Sequence, residues 1–252
     1  MSYSDAIGVL DSGLGGISVL RELKRLLPNE NYIYFADKDN APYGSKSDAE
    51  IMHLTVKNAE YLCSLGCKAL VIACNTATSV AANTLRNTLS VPVIGLEPAI
   101  KPAARRYPNG KILVLATPVT LSHEKFQNLL ANIGAERFVP FAAPHLVEYV
   151  ESGMKKREEI LRYLKGIFAP YQNIKFDACV LGCTHFPFVK NEISEALCYT
   201  PAFFDGAEGT ARCLENNLKR LGILNENNFA PYVLWNTNYP NNLQKVLLYN
   251  NK

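Results

Sequence analysis

The stretch KALVIACNT, residues 68–76, decides the fold because the chain contains a second copy of its pattern. That copy, DACVLGCTH, covers residues 177–185 and places Cys183 109 residues after Cys74. Each copy has a continuous apolar run, then a small residue, a cysteine and polar residues. Such a run is typical of a buried parallel strand, and the cysteine falls where the strand leads into a helix. The sequence therefore predicts two similar lobes, each with a thiol at the carboxyl end of a strand.

Strands and helices alternate along the rest of the chain. This alternation predicts an α/β fold of two pseudo-symmetric doubly wound domains, with the active site in the cleft between them. We place the first lobe at residues 1–97 plus 206–252, because a helix after residue 205 and the tail are expected to return to it. The second lobe covers residues 98–205, and within it residues 142–153 are predicted to form a loop that carries Glu151.

Composition limits the class of protein. A chain of 252 residues, 48% apolar and 19% charged, can bury the cores of two domains. A dispersed net charge of +3 argues against a nucleic-acid surface. No apolar run reaches the roughly 20 residues that span a bilayer, and the N-terminus lacks the basic segment of a signal peptide. Seven cysteines, an odd number, favour reduced thiols, so we expect a cytoplasmic protein.

A glycine-rich turn, DSGLGG at residues 11–16, joins the first strand to a helix. Backbone N–H groups at such a turn suit a carboxylate or a phosphate. The dinucleotide-binding fingerprint is not met, since Ser18 occupies the position of its third glycine. Asp11 is left with two roles: a hydrogen bond that shapes the turn, or acid/base chemistry.

The two thiols suggest proton transfer. A cysteine at a helix N-terminus has its thiolate favoured, so each pKa is expected below the ordinary value of about 8.5. Thiols on opposite sides of a carbon, each about 3–3.5 Å from it, would sit roughly 7 Å apart and could invert a stereocentre. His185 either adjusts the protonation of Cys183 or is a structural histidine. The alternative without catalysis is that both cysteines only pack in the core. Cys63 and Cys67 have no second ligand pair nearby, so no metal site is predicted.

Four motifs together resemble the glutamate racemases of the aspartate/glutamate racemase family. They are DSGLGG at 11–16, PYG at 42–44, ACNTA at 73–77 and LGCTHFP at 181–187, in that family's order and over nearly the whole chain. The resemblance implies two pseudo-symmetric α/β domains and no cofactor. It also implies interconversion of L- and D-glutamate, which supplies D-glutamate for bacterial peptidoglycan.

The resemblance assigns roles to individual residues. Cys74 takes the α-proton from D-glutamate, assisted by Asp11. Cys183 takes it from L-glutamate, assisted by His185 and Glu151. The implied substrate-binding residues are Asp11, Ser12, Tyr43, Gly44, Asn75, Thr76, Thr117, Thr120, Thr184 and His185. Their hydroxyls, amides and turn N–H groups would hold both substrate carboxylates. No metal is implied, glutamate is the small-molecule partner, and a homodimer is left open.

Other functions stay open on the sequence alone. The same chemistry would serve a racemase for aspartate or another amino acid. A two-lobed binding protein without turnover would keep its ligand when both cysteines are replaced. A thiol hydrolase that used Cys183 with His185 would be insensitive to replacement of Cys74.

Overall fold

The computed structural model describes residues 5–227, 231–236 and 244–245 and contains two separate sheets. The strands of the first sheet are β1 (Ala6–Asp11), β2 (Asn31–Ala36), β3 (Ala69–Ile72), β4 (Val93–Gly95), β9 (Val233–Asn236) and β10 (Gln244–Lys245). The strands of the second are β5 (Ile112–Ala116), β6 (Phe138–Ala142), β7 (Ala178–Gly182) and β8 (Ala202–Asp205). Neighbouring strands are parallel except for β10 against β9.

The two sheets repeat one topology. The order β2-β1-β3-β4 in the first sheet matches β6-β5-β7-β8 in the second. The sequence repeat is preserved, since β3 begins at Ala69 and β7 at Ala178, and β4 begins at Val93 and β8 at Ala202. Every residue of β3 and β7 is buried, as expected for strands covered on both faces. The predicted pseudo-symmetric α/β architecture is confirmed.

Helices cover both faces of both sheets. On the first sheet, α1 (Ile17–Leu26) and α10 (Ala207–Leu221) pack on one face, and α2 (Asp48–Ser64) and α3 (Asn75–Thr88) on the other. On the second sheet, α4 (Ile100–Arg106) and α6 (Glu124–Ile133) pack opposite α7 (His145–Glu151), α8 (Arg157–Phe168) and α9 (Lys190–Leu197). A short helix, α5 (Pro118–Ser122), follows β5.

The chain returns from the second sheet to the first through α10. Its residues Ala211, Leu214 and Leu218 are buried in the same core as Val9 of β1. We call the elements packed on each sheet the first and second lobe. The residue boundaries 1–97 plus 206–252 and 98–205 stay a prediction, and residues 1–4, 228–230, 237–243 and 246–252 of the first lobe lie outside the described residues.

The loop predicted at residues 142–153 is wrong, because α7 fills most of it. Leu146, Val147, Tyr149 and Val150 are buried at helical spacing, whereas the polar residues that suggested a loop lie on the outer face or at the helix end. Glu151 is thus the last residue of a helix. A rigid element, and not a loop, sets its position.

Among the described residues, every helix is too short or too polar to cross a membrane.

Candidate active site

The carboxyl ends of the strands deliver the predicted site residues. Asp11 ends β1, and Cys74 comes two residues after the end of β3. Thr117 follows β5 directly, and Cys183 follows β7 directly. Because parallel strands end at the same edge of a sheet, each lobe presents its polar residues to one side. The two sides meet, since Thr184 Oγ1 of the second lobe donates to Asp11 Oδ1 of the first at 3.4 Å. This contact brings the carboxyl ends of the strands of the two sheets against each other.

Cys74 caps the N-terminus of α3. Its Sγ accepts from the Ala77 N–H at 3.4 Å and lies 3.5 Å from Ser12 Oγ. Burial raises the pKa of this thiol to about 12, and the charge of Asp11 adds to the rise. The N–H of Ala77 and the hydroxyl of Ser12 lower the pKa by less. The predicted lowering is therefore wrong for Cys74, because desolvation outweighs the helix N-terminus, and the resting side chain is a neutral thiol.

Asp11 is fully buried and organises the glycine-rich turn. Its Oδ2 accepts hydrogen bonds from the backbone N–H of Gly13 at 3.1 Å and of Gly16 at 2.9 Å. Burial raises the pKa of this carboxyl above its ordinary value, although the charge of His185 and the two N–H groups oppose the rise. The turn-shaping role is present in the structure. The acid/base role stays a prediction, and the raised pKa is the direction that such a role requires.

The second thiol has its own chain of polar groups. Cys183 Sγ lies 3.6 Å from His185 Nδ1, and His185 Nε2 lies 2.6 Å from Glu151 Oε1. Burial alone would lower the pKa of His185, but the hydrogen bonds to Cys183 and Glu151 outweigh it and raise the pKa to about 10. Burial likewise opposes the shift at Glu151, whose pKa is nevertheless lowered by His185 and by the N–H of Leu14. The imidazole is thus held as a cation between Cys183 and a carboxylate.

Close contacts between the lobes explain the glycines of the turn. The Leu14 N–H donates to Glu151 Oε1 at 2.7 Å, and Ser18 Oγ donates to the Thr184 carbonyl at 3.0 Å. A Cβ on Gly13 would collide with the Glu151 carboxylate, and one on Gly15 would lie 2.5 Å from His185 Nδ1. Glycine is therefore required at positions 13 and 15 because the second lobe approaches the backbone there.

Three threonine hydroxyls bridge the lobes at another point of the cleft. Thr76 Oγ1 lies 2.9 Å from Thr117 Oγ1, which donates to Thr120 Oγ1 at 2.9 Å. All three side chains are buried. Gly44 packs against Thr117, since a Cβ added to Gly44 would lie only 3.0 Å from the Cβ of the threonine. The structure thus brings four of the predicted substrate-binding residues together.

Two predicted binding residues have side chains with specific constraints. The hydroxyl of Tyr43 donates to Asp37 Oδ2 at 2.6 Å and accepts from Asn58, so its polar group is already used within the first lobe. Asn75 Nδ2 donates to the Leu96 carbonyl at 3.4 Å, whereas its Oδ1 is buried without a hydrogen-bond partner in the described part of the chain. Asn75 therefore has an acceptor left for a ligand, whereas the hydroxyl of Tyr43 is already bonded within the first lobe.

The sequence reasoning missed Tyr34 and Lys38. Tyr34 is fully buried in β2 and its hydroxyl donates to the Gly13 carbonyl at 2.7 Å. A tyrosine in a predicted buried strand needs a partner for its hydroxyl, and that requirement was a usable signal. Lys38 of the first lobe lowers the pKa of Glu151 in the second lobe through its charge, and the sequence holds no signal for this pair.

In the residues that the structure describes, no group of three or more His, Cys, Asp or Glu could hold a metal ion.

Comparison with known proteins agrees with this geometry. The family model described as Asp/Glu/Hydantoin racemase matches residues 7–214. The chain is 45% identical over 230 residues to a glutamate racemase of Clostridium botulinum, with 90% of each sequence covered. It resembles a crystal structure of a Bacillus anthracis glutamate racemase at a TM-score of 0.79 and 33% identity, covering 92% of this chain and 87% of that one. For Escherichia coli glutamate racemase in complex with L-glutamate and the activator UDP-MurNAc-Ala, the TM-score is 0.78 at 31% identity, with 92% and 88% covered.

Proposed function

The chain belongs to the Asp/Glu/hydantoin racemase family, and we propose that it interconverts L- and D-glutamate without a cofactor, by proton transfer between two thiols. The observation that carries the proposal is the pair Cys74 and Cys183 at equivalent strand ends of two pseudo-symmetric lobes. Each thiol has its own polar partners. Cys74 lies beside the Ser12 hydroxyl and the charge of Asp11, and Cys183 lies beside His185. A single nucleophile would need only one such arrangement.

The two directions use the thiols in opposite roles. With L-glutamate, Cys183 beside the His185 cation takes the α-proton, and Cys74 gives a proton to the other face. The raised pKa of Cys74 suits this role, because its thiol carries a proton in the resting protein. With D-glutamate, Cys74 first gives its own proton to the carboxylate of Asp11 and then takes the α-proton, and the thiol of Cys183 gives a proton to the other face.

Substrate binding follows from the groups that remain available. The hydroxyls of Thr76, Thr117 and Thr120 bond to one another and would turn to a substrate carboxylate. Asn75 Oδ1 would accept from the substrate ammonium. When the α-proton leaves, charge develops on the α-carboxylate, and preorganised N–H and hydroxyl donors stabilise it. The proposed binding set is completed by Asp11, Ser12, Tyr43, Gly44, Thr184 and His185.

The cellular role belongs to the same proposal. D-Glutamate made by this enzyme would feed peptidoglycan synthesis. All seven cysteines are free thiols in the structure, which fits a reducing cytoplasm. A homodimer stays a prediction.

The test is proton NMR of L- or D-glutamate with the protein in D2O and no added cofactor. We expect loss of the α-proton signal together with appearance of the other enantiomer, measured by chiral chromatography. Exchange with aspartate but not glutamate would keep the mechanism and change the substrate. No exchange with any amino acid, from folded protein with free thiols, would refute the racemase and favour a binding protein.

A further inference from the structure

We propose that Tyr34 is a positioning residue for the second-lobe half of the site, acting across the cleft through the peptide unit that joins Gly13 to Leu14. The inference rests on the proposed function and adds to it a residue that does not touch the reacting groups.

Tyr34 supports the glycine-rich turn from inside the first lobe. Its side chain is fully buried, and its hydroxyl donates to the Gly13 carbonyl at 2.7 Å. The turn rests directly on this hydroxyl, since a Cβ on Gly16 would lie 2.7 Å from Tyr34 Oη. The ring is held by Trp235 of β9, stacked with ring centroids 4.4 Å apart and an angle of 24° between the planes. The phenol is therefore a fixed donor.

The peptide geometry carries the effect to the other side. The Gly13 carbonyl and the Leu14 N–H belong to one planar peptide unit, so they point in opposite directions. Tyr34 holds the carbonyl toward the interior of the first lobe. The N–H must therefore point the opposite way, toward the second lobe, where it donates to Glu151 Oε1 at 2.7 Å. A peptide unit that follows glycine rotates easily, so a hydrogen bond to its carbonyl is needed to fix its orientation.

Glu151 connects the peptide held by Tyr34 to the groups around Cys183. The oxygen that accepts from Leu14 also lies 2.6 Å from His185 Nε2, and His185 Nδ1 faces Cys183. If the peptide rotates, Glu151 loses its first-lobe donor and meets a carbonyl oxygen in its place. The carboxylate would then leave His185, and the pKa of His185 would fall toward its ordinary value.

The alternative is that Tyr34 is a buried tyrosine whose hydroxyl merely finds a partner. Tyr32, two residues earlier in the same strand, provides the matched comparison. It is equally buried, and its hydroxyl donates to the carbonyls of Leu23 at 3.1 Å and Leu27 at 2.9 Å, at the far end of α1. Both tyrosines thus bond to backbone carbonyls, but only Tyr34 contacts the site.

The experiment compares Tyr34→Phe with Tyr32→Phe in glutamate racemisation. We expect kcat/KM of Tyr34→Phe to fall about tenfold to hundredfold, the size typical of a misplaced catalytic group. It should fall equally in both directions, because the two enantiomers have equal free energies. The alkaline limb of its kcat–pH profile should move to lower pH. Tyr32→Phe should stay within about twofold of the wild type with an unmoved profile, while thermal unfolding reports any loss of stability in each variant.

The results distinguish a failure of the positioning role from a failure of the proposed function. Equal losses in both variants, wild-type kinetics in Tyr34→Phe, or a loss without movement of the alkaline limb would each overturn the positioning role. Wild-type protein that does not racemise glutamate would overturn the proposed function and this inference with it. If Tyr34→Phe does not fold, Trp235→Leu replaces it in the same measurements, since that change removes the ring stacked on Tyr34 and so loosens the hold of the phenol on the Gly13 carbonyl without altering Tyr34 itself.

Discussion

Oγ1 of Thr76 in the first lobe lies 2.9 Å from Oγ1 of Thr117 in the second, so the lobes touch through two hydroxyls. The lobes also meet through Leu14 N–H and Glu151, where the first-lobe turn contacts the second-lobe acid. The two contacts define a closed arrangement whose polar groups bond to one another. If glutamate binds as proposed, a substrate carboxylate would replace the threonine contact, and the Glu151 contact would stay.

Thr76→Val should raise KM for glutamate about tenfold to hundredfold and leave kcat nearly unchanged. The substitution keeps the shape of the side chain but removes one hydrogen bond to a charged group, which contributes about 1.5–3 kcal/mol. Steady-state kinetics in both directions provide the measurement. Thr78→Val is the control, because Thr78 Oγ1 in the same helix donates to the Ile72 carbonyl. Equal KM values in the two variants would contradict the binding role of Thr76.

Cys74→Ser and Cys183→Ser should each lower racemisation by about 10³-fold, within the usual range for a lost acid/base group. The matched control is Cys179→Ala, which changes a fully buried cysteine in β7 four residues before Cys183 and should stay near wild-type activity. Chiral chromatography after incubation with either enantiomer measures all three. Racemisation that survives in Cys74→Ser would support a one-thiol enzyme.

Asp11→Asn should make the protein more stable at pH 8 and less active. The pKa of Asp11 is raised in the folded state, so its contribution to stability is full below the unfolded pKa of about 3.9 and is lost as pH rises through the folded value. At pH 8 burial opposes an ionisation that the unfolded chain undergoes freely, so Asp11 is destabilising there. We expect Asp11→Asn to raise the free energy of unfolding at pH 8, by an amount that shrinks toward acid pH. Urea unfolding at several pH values checks this; a loss of stability at pH 8 would refute it.

Gly13→Ala should lower kcat/KM at least about tenfold while leaving the first lobe folded, because the added Cβ would collide with the Glu151 carboxylate and hold the lobes apart. Gly209→Ala serves as the control, since nothing lies within 4 Å of its Cβ position in α10. That control should gain about 0.5–1 kcal/mol of stability and keep its activity. Comparable activity in the two variants would mean that catalysis does not require the contact between Gly13 and Glu151.

The stability of the protein should depend on pH through His185. Its folded pKa of about 10 exceeds the unfolded value of about 6.5, so its contribution is complete below pH 6.5 and is lost as pH rises through 10. The wild type should therefore lose its advantage over His185→Gln between these values. Denaturant unfolding of both proteins from pH 6 to 10.5 measures the difference, and an unchanged difference across that range would exclude a raised pKa.

Prediction from the sequence worked where the relevant information is local or repeated. The repeated apolar run is an example, since β3 begins at Ala69 and β7 at Ala178, as the repeated pattern indicates. It failed for α7, where His145, Glu148 and Glu151 suggested a loop although the buried residues between them follow a helical spacing. It also failed to single out Tyr34, because the partner of a buried hydroxyl is not visible until the strand and the turn are placed together.

The sequence by itself determined the two-lobed α/β fold and the pair of cysteines at the strand ends, because apolar runs must be buried on both faces and their repetition is visible along the chain. Only the tertiary structure decided the protonation of Cys74 and the bonding of Glu151. A pKa depends on how completely a group is desolvated, and the donor that holds Glu151 belongs to Leu14, 137 residues away in the chain.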